Sequence, residues 1–457
     1  MKSTPDSNLF LLYLALIFWM PLPFGSARHW AEAILEIWVY ALGSYWLWLY
    51  VRGKVSASRS FRHTKPVLWL FVIYLLLIVF QWLPWPAEWI AGSDDTITRA
   101  TSGESLDFVT ISADPRSTLS GFLLSCAYVL LFALSLLLVN SRKRISWLLG
   151  AIVLSGVFQA LYGSFMTLSG VKYGLFTLNS DVATGTFINR NHLAGYLEMT
   201  LAAGIGLLIA MLDVSVEHTW KGRMRSWLRL LLSPKARLRL YLVMMVIALI
   251  LTRSRMGNSA FFMSLLLSGV IGLALSRHAT RGTVILLASL VVIDIFLVGT
   301  WFGVEKVAER IQQTRVETES RPIAYRDAYP IWSDHRLTGT GLKSFTAVFP
   351  GYQNNDLAGF YDAAHNDYLQ FAIETGSLGL GVLGAIVIWT FIIALRAQAV
   401  RRVPLMRGLS FAVIMGLLAR LIHDTVEFNF QIPANAAMFM IFLALGWISL
   451  LYKSEEI

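Results

Sequence analysis

The residues best equipped for chemistry are one histidine and a small set of arginines. His365 stands in Asp362-Ala-Ala-His365-Asn366-Asp367-Tyr368-Leu369-Gln370, a polar stretch that runs without a break into an apolar one. Arg190 lies in Gly185-Thr-Phe187-Ile-Asn189-Arg190-Asn191-His192, and Arg253 and Arg255 lie in Thr252-Arg-Ser-Arg-Met-Gly257. An imidazole takes up a proton near neutrality. A guanidinium offers a rigid fork of donors matched to phosphate oxygens and stays charged at every relevant pH. Brought together at a lipid–water boundary, these groups suit attack by a hydroxyl on a lipid-linked phosphate ester, with a diphosphate leaving. Arginines would then offset the negative charge that develops on the departing group. Taken singly, each has a plainer reading: a histidine at a span end packs, and an interfacial arginine snorkels to lipid headgroups.

The elements that position these residues must cross a membrane. With 56% hydrophobic and 14% charged residues over 457 positions, the chain is too apolar for a soluble protein. Apolar runs long enough to span predict twelve helices, near 8–24, 29–50, 66–91, 117–140, 146–168, 193–212, 239–252, 258–275, 283–303, 371–395, 408–428 and 434–452. Lys and Arg resist translocation, and 23 of the 38 fall in alternate connections (51–65, 141–144, 213–239, 276–281, 396–407) and at the two ends. Both termini are therefore expected in the cytoplasm, and the opposite loops in the periplasm or outside the cell. The net charge of +10 reflects this bias and is spread over short loops, so no nucleic-acid partner is expected. Lys2 ahead of the first apolar run resembles a signal peptide, but twelve spans with both ends inside keep the run as a membrane helix.

By this parity Arg190, Arg253, Arg255 and His365 all fall on one side, and the two arginines at 253 and 255 break the positive-inside rule there. The expected organisation is a transmembrane scaffold at 1–184, central helices bearing the arginine motifs at 185–303, an external loop subdomain with the histidine at 304–370, and closing helices at 371–457. Within the subdomain, 304–319 shows helical spacing, with Val304, Val307, Ala308 and Ile311 on one stripe. The cytoplasmic loop 213–239 alternates basic and apolar residues, as an interfacial amphipathic helix does. Arg420, His423, Asp424 and Glu427, at i, i+3, i+4 and i+7 near the end of span eleven, fall on one face of its helix. Ion pairing between Arg420 and Asp424, or a lining of the substrate site, would each account for them. Asp362 and Asp367 flank His365 without a third ligand, and the sole cysteine, Cys126, lies inside a span. Neither a metal site, a cofactor nor an intrachain disulfide is expected.

The Gly339-Thr-Gly341 turn, Phe349-Pro350-Gly351-Tyr352, and Ala364 to Gln370 followed by Glu374-Thr-Gly376-Ser-Leu-Gly379 resemble the signature of the O-antigen ligase family. That superfamily also holds Wzy-type polysaccharide polymerases and protein O-oligosaccharyltransferases. The likeness extends to 185–196, to Thr252 through Arg255, and to Val426-Glu427-Phe-Asn429-Phe-Gln-Ile-Pro433-Ala-Asn435. It implies a metal-independent, inverting glycosyltransferase of the GT-C type in the bacterial inner membrane. The implied donor is a glycan on undecaprenyl diphosphate, and the acceptor is a hydroxyl of another glycan or of lipid A–core. Carried over, His365 is the base that deprotonates the acceptor, Arg190 and Arg255 hold the diphosphate, and Arg253 is an added arginine beside them. Asn366 and Tyr368 orient the imidazole, with Asn191 and Glu427 as further supporting residues. Glu427 stands where an Asp is common. A flippase or transporter of lipid-linked sugars is the competing class. The large one-sided loop and the lack of matching interrupted spans suit it less well.

Overall fold

The computed structural model describes residues 5–86, 88, 108–171, 173–175, 181–211, 233–275, 315–357 and 359–452, without the side chains of 315–321. In chain order the elements are α1 (Ser7–Trp19), α2 (His29–Val51), α3 (Arg59–His63), α4 (Lys65–Trp82), β1 (Pro84–Pro86), β2 (Phe108–Thr110), α5 (Pro115–Leu138), α6 (Arg142–Ser169), α7 (Arg190–Ala210), α8 (Pro234–Leu251), α9 (Arg255–Leu275), α10 (Arg315–Asp334), α11 (Phe345–Val348), α12 (Asp367–Val400), α13 (Pro404–His423) and α14 (Pro433–Leu451). Among the described residues nine helices are long and apolar enough to cross a membrane: α2, α4, α5, α6, α7, α9, α12, α13 and α14. The chain is an all-α polytopic membrane protein, as the apolar runs predict. Expected spans one and seven coincide with the shorter α1 and the more charged α8. The ninth, at 283–303, lies outside the described residues, as do 304–314 of the expected amphipathic stripe and 213–232 of the basic loop.

Local chemistry sets the boundaries. Side chains cap the helix starts, with Asp114 accepting from Ser117 N, Ser141 from Arg144 N, Ser233 from Ala236 N and Asn366 from Leu369 N. Prolines occupy the first turns of α4, α5, α8, α13 and α14, where their missing N–H costs nothing. α4 ends at Trp82, short of the expected 91. Leu83 precedes Pro84, which disfavours helical backbone, and Leu83 is extended. The strand that follows pairs with 108–110 in a small antiparallel ladder that hydropathy gave no hint of.

The best-buried helices are α7 and α14, each with 89% of its apolar window enclosed, while α2, α4 and α12 present most of theirs outward. α13 packs along α7 so closely that Gly206 and Gly408 face each other, and a methyl on either would run into the other's backbone carbonyl. Small residues permit that approach where lipid offers no hydrophobic drive between helices.

The described connections sort between the two ends of the bundle. At the His365 end, Thr186 Oγ1 donates to Pro21 O (2.6 Å), Ala183 N to Leu251 O (3.0 Å), Ala113 N to Thr340 O (2.8 Å), and Gln81 Nε2 to Thr338 O (2.6 Å). Lys343 pairs with Glu32 at 2.5 Å. The alternate set meets at the far end, through Arg144 with Asp6 (2.7 Å) and Ser58 Oγ with Leu136 O (2.6 Å). The loop subdomain sits on the His365 end around Ala324, Ala328, Ile331, Phe345, Phe349, Leu357 and Ala364. Its turn at 337–344 is stitched to α12 where that helix breaks. Gly376 takes φ 65°, and a Cβ there would run into the Leu337 carbonyl oxygen, so no side chain fits. Thr340 N donates to Ile373 O (2.9 Å), Gly341 N to Glu374 O (3.0 Å), and the Glu374 carboxylate accepts from Lys343 N (3.0 Å). The Gly-Thr-Gly and Glu-Thr-Gly motifs are therefore the two halves of one joint.

Candidate active site

His365 ends the strap that leaves the subdomain, one residue before the cap of α12. It holds a left-handed backbone conformation, φ 51°, which is strained for any residue bearing a Cβ. Several contacts impose it. Tyr325 Oη donates to the His365 carbonyl (2.7 Å), Asn366 caps α12, and Asp367 N donates to the carbonyls of Asp424 and Glu427, both at 3.1 Å. The Asp367 carboxylate accepts from Phe430 N (2.8 Å) and Gln431 Nε2 (3.2 Å). The strap is thus locked to the turn that follows α13.

The imidazole stands edge-on to Phe428, centroids 4.7 Å apart, and Phe428 in turn meets His192 at 4.8 Å. Nδ1 is buried and faces Glu427 Oε2 at 3.9 Å, while the side chain as a whole remains 24% exposed. The ring thus presents Nδ1 to the carboxylate while part of the side chain stays exposed. Glu427 Oε1 accepts from Asn191 Nδ2 at 2.5 Å. Asn191 is the second residue of α7 and Arg190 the first, so one hydrogen bond ties the arginine's helix start to the carboxylate beside the histidine.

Arg255 opens α9, and that helix meets α7 within their first turns. Gly257 lies against Ala194, with a Cβ there falling 2.6 Å from the alanine methyl. Arg190 and Arg255 therefore begin adjacent helices at one end of the bundle, where the helix dipoles add positive potential. The Arg255 side chain is exposed and that of Arg190 partly so, and the Arg190 guanidinium has no ion-pair partner among the described residues. Arg253 is exposed and also left-handed, φ 52°, in a tight turn where Ser254 N donates to Thr252 Oγ1 (3.1 Å).

The other expected residues take places of their own. Tyr368 Oη donates to Leu421 O (2.7 Å), and Asn366 spends its side-chain oxygen on the helix cap. Neither bonds to the imidazole among the described residues. Asp362 is exposed. The shared helical face of Arg420, His423, Asp424 and Glu427 is corrected: α13 ends at His423, Asp424 is its cap, and Glu427 reaches its buried position through the following turn, whose carbonyls receive Asp367 N. Glu198, a lone carboxylate in an apolar span, was missed by the sequence reading although intramembrane charge is itself a signal. It lies fully buried beneath the site, 2.7 Å from His423 Nδ1 and 3.8 Å from Arg420. Arg420 also pairs with Asp424, whose carboxylate accepts from Asn429 Nδ2 (3.1 Å). Asn435 Nδ2 bridges Asn429 Oδ1 and His192 O, both at 3.1 Å. Gly195 is required here, because its missing side chain leaves the space that Arg420 fills. Among the described residues no three His, Cys, Asp or Glu side chains are grouped to hold a metal ion.

Residues 240–384, which contain the arginine turn, the glycine joint and the histidine motif, match the family model for O-antigen ligase. Over that stretch the chain is similar to the O-antigen ligase family. The resemblance read from the sequence is borne out over that stretch, and with the membrane-length helices it supports a membrane enzyme of polysaccharide biosynthesis. No curated protein matches the chain.

Proposed function

We propose that the protein is an inverting, metal-independent glycosyltransferase of the GT-C type. It moves a glycan from undecaprenyl diphosphate to an acceptor hydroxyl on the periplasmic face of the bacterial inner membrane, with both termini cytoplasmic. The observation that carries this reading is the arrangement of His365, strained, with Nδ1 toward Glu427 and its side chain still partly exposed. The acceptor hydroxyl meets Nε2, which takes its proton as the oxygen attacks the anomeric carbon. Glu427, held by Asn191, faces the imidazolium so formed and offsets its charge across the Nδ1 side. The diphosphate departs with its negative charge against Arg190 and Arg255 at the starts of α7 and α9, and Arg253 stands beside them. A ligase using lipid A–core and a repeat-unit polymerase share these steps and differ only in the acceptor.

The test is transfer in proteoliposomes containing a purified undecaprenyl-diphosphate glycan. His365→Ala is expected to lower kcat by about 100-fold or more, the usual worth of a general base. Arg190→Ala and Arg255→Ala are expected to raise the KM for the donor. Undiminished transfer by the His365 variant would sink the assignment of the base, and unchanged donor binding by both arginine variants would sink the diphosphate site. A ladder of longer glycans on undecaprenyl diphosphate would identify a polymerase.

A further inference from the structure

Among the described residues the ring of His365 meets Phe428 edge-on at 4.7 Å, Tyr361 edge-on at 6.2 Å and the Glu427 carboxylate at 3.9 Å, the last a separation beyond hydrogen-bond reach. Asn366 and Tyr368, the neighbours expected to orient it, spend their side chains on Leu369 N and Leu421 O. The direction of the imidazole is therefore inherited from the backbone, and that backbone is left-handed, φ 51°. It is held on both flanks. Ala364 N donates to Gln370 Oε1 (2.9 Å) and Asp367 N to the carbonyls of Asp424 and Glu427, so the residues before and after are tied to the helical bundle. The carbonyl of His365 itself is tied to the loop subdomain, accepting from Tyr325 Oη at 2.7 Å across 40 residues of chain.

α10 is held in place by other means. Ala324, Ala328 and Ile331 bury one side of it in the subdomain core, and Asp327 ties it to Asn354 at 3.0 and 2.7 Å. Tyr325 thus rises from a fixed support and spends its hydroxyl on a peptide whose setting aims the imidazole. From φ 51° a residue with a Cβ returns to the ordinary helical region by a rotation of about 100° or more, which carries the Cα–Cβ bond, and the ring with it, away from Glu427. We propose that Tyr325 is a positioning residue for the base: its hydroxyl holds the His365 carbonyl in the strained setting that keeps the imidazole facing Glu427, so the loop subdomain sets the aim of the base. This rests on the glycosyl-transfer reading above. Arg190 and Arg255 open α7 and α9, apart from this tether, so the grip on the donor's diphosphate does not depend on it.

The test uses the full chain in proteoliposomes with a purified undecaprenyl-diphosphate glycan. Tyr325→Phe keeps the ring and removes only the hydroxyl. It is expected to lower kcat about tenfold, part of the roughly 100-fold that a misplacement of about 1 Å can cost, with the KM for the donor unchanged. In a His365→Ala background, where no imidazole is left to aim, the same substitution should cost less than about twofold, so the two changes are non-additive. Labelling of the solubilised protein with diethyl pyrocarbonate, mapped by peptide mass, should be faster at His365 in Tyr325→Phe and unchanged at His335, one residue past α10. An equal loss of kcat in both backgrounds, or equally accelerated labelling of His335, would assign the hydroxyl to the stability of the subdomain and overturn the proposal, as would a Tyr325→Phe enzyme with the parent kcat. Transfer by His365→Ala at the parent rate would remove the base itself, and faster labelling of His365 in Tyr325→Phe would then still uphold the tether.

Discussion

Arg420 and Arg190 are the same side chain in opposite situations. Arg420 is wholly buried among Glu198, Asp424 and the face of Phe430, with the glycine at 195 making room for it. Arg190 lies some two helical turns nearer the surface along α7, partly exposed, and its guanidinium has no carboxylate partner among the described residues. The buried cation is committed to the carboxylates it pairs with, whereas the rim cation still has its charge to offer. The difference separates residues that hold the helices in place from residues available to a ligand, although both motifs lie in polar stretches at span ends.

The largest effect therefore belongs to Arg420. Arg420→Met leaves Glu198 and Asp424 buried with one cation fewer, and breaking such a pair costs about 3–5 kcal/mol. Unfolding in detergent, followed by tryptophan fluorescence, should show that loss even in the absence of substrate. A variant as stable as the parent would erase the distinction drawn between the two arginines.

A smaller effect is expected for a buried charge whose partners are hydrogen bonds of the loop. Asp327 accepts from Asn354 N (3.0 Å) and Asn354 Nδ2 (2.7 Å) and pairs with Arg326 (2.8 Å), fastening α10 to the strap that leads to His365. Burial raises its carboxyl pKa, but these donors outweigh burial and hold it below the ordinary 3.8. A depressed folded-state pKa means that the stabilisation is complete above the unfolded value and is lost as pH falls through the folded one. The protection of the amides at 352–357, as exchange relative to the unstructured rate at the same pH, should thus be steady from neutrality down to about pH 4 and fall below it. Asp327→Ala should produce the same loss of protection at neutral pH, at a cost of about 1–3 kcal/mol confined to the loop. If the exchange instead rose together with that of α7, the loop and the membrane core would not be separate in the way the two kinds of buried charge imply.

The membrane class and most helices were legible because a span needs a long apolar run, and the alternation of basic loops foretold which connections meet at one end. Arg190, Asn191, Glu427 and His365 could be singled out by residue type, and Asn191 and Glu427 prove to connect the histidine to the α7 start. What escaped depends on backbone turns and through-space packing. Glu427 looked helical because its spacing fits a period of 3.6, yet α13 stops four residues before it. Glu198 drew no notice because its partners, Arg420 and His423, lie more than two hundred residues away in the chain. Glu374 and Gly376 read as part of a family signature, whereas the joint they form with 337–343 rests mainly on main-chain groups that no side-chain pattern reports.

The smallest change in stability, and the most telling, is expected at Arg190. Arg190→Met removes a partly exposed charge without stranding a carboxylate, so unfolding should shift by less than about 0.5 kcal/mol. The same substitution leaves the Asn191 bond to Glu427 in place, because that bond needs only the α7 backbone and not the arginine side chain. Proton transfer to His365 should survive, and the deficit should appear in the KM for the diphosphate donor. Arg190→Lys retains the charge but loses the planar fork that grips two oxygens, so it should recover only part of the affinity. A fall in kcat at saturating donor, with KM unchanged, would assign Arg190 to the transition state alone. Lost stability would place it with Arg420 among the structural charges.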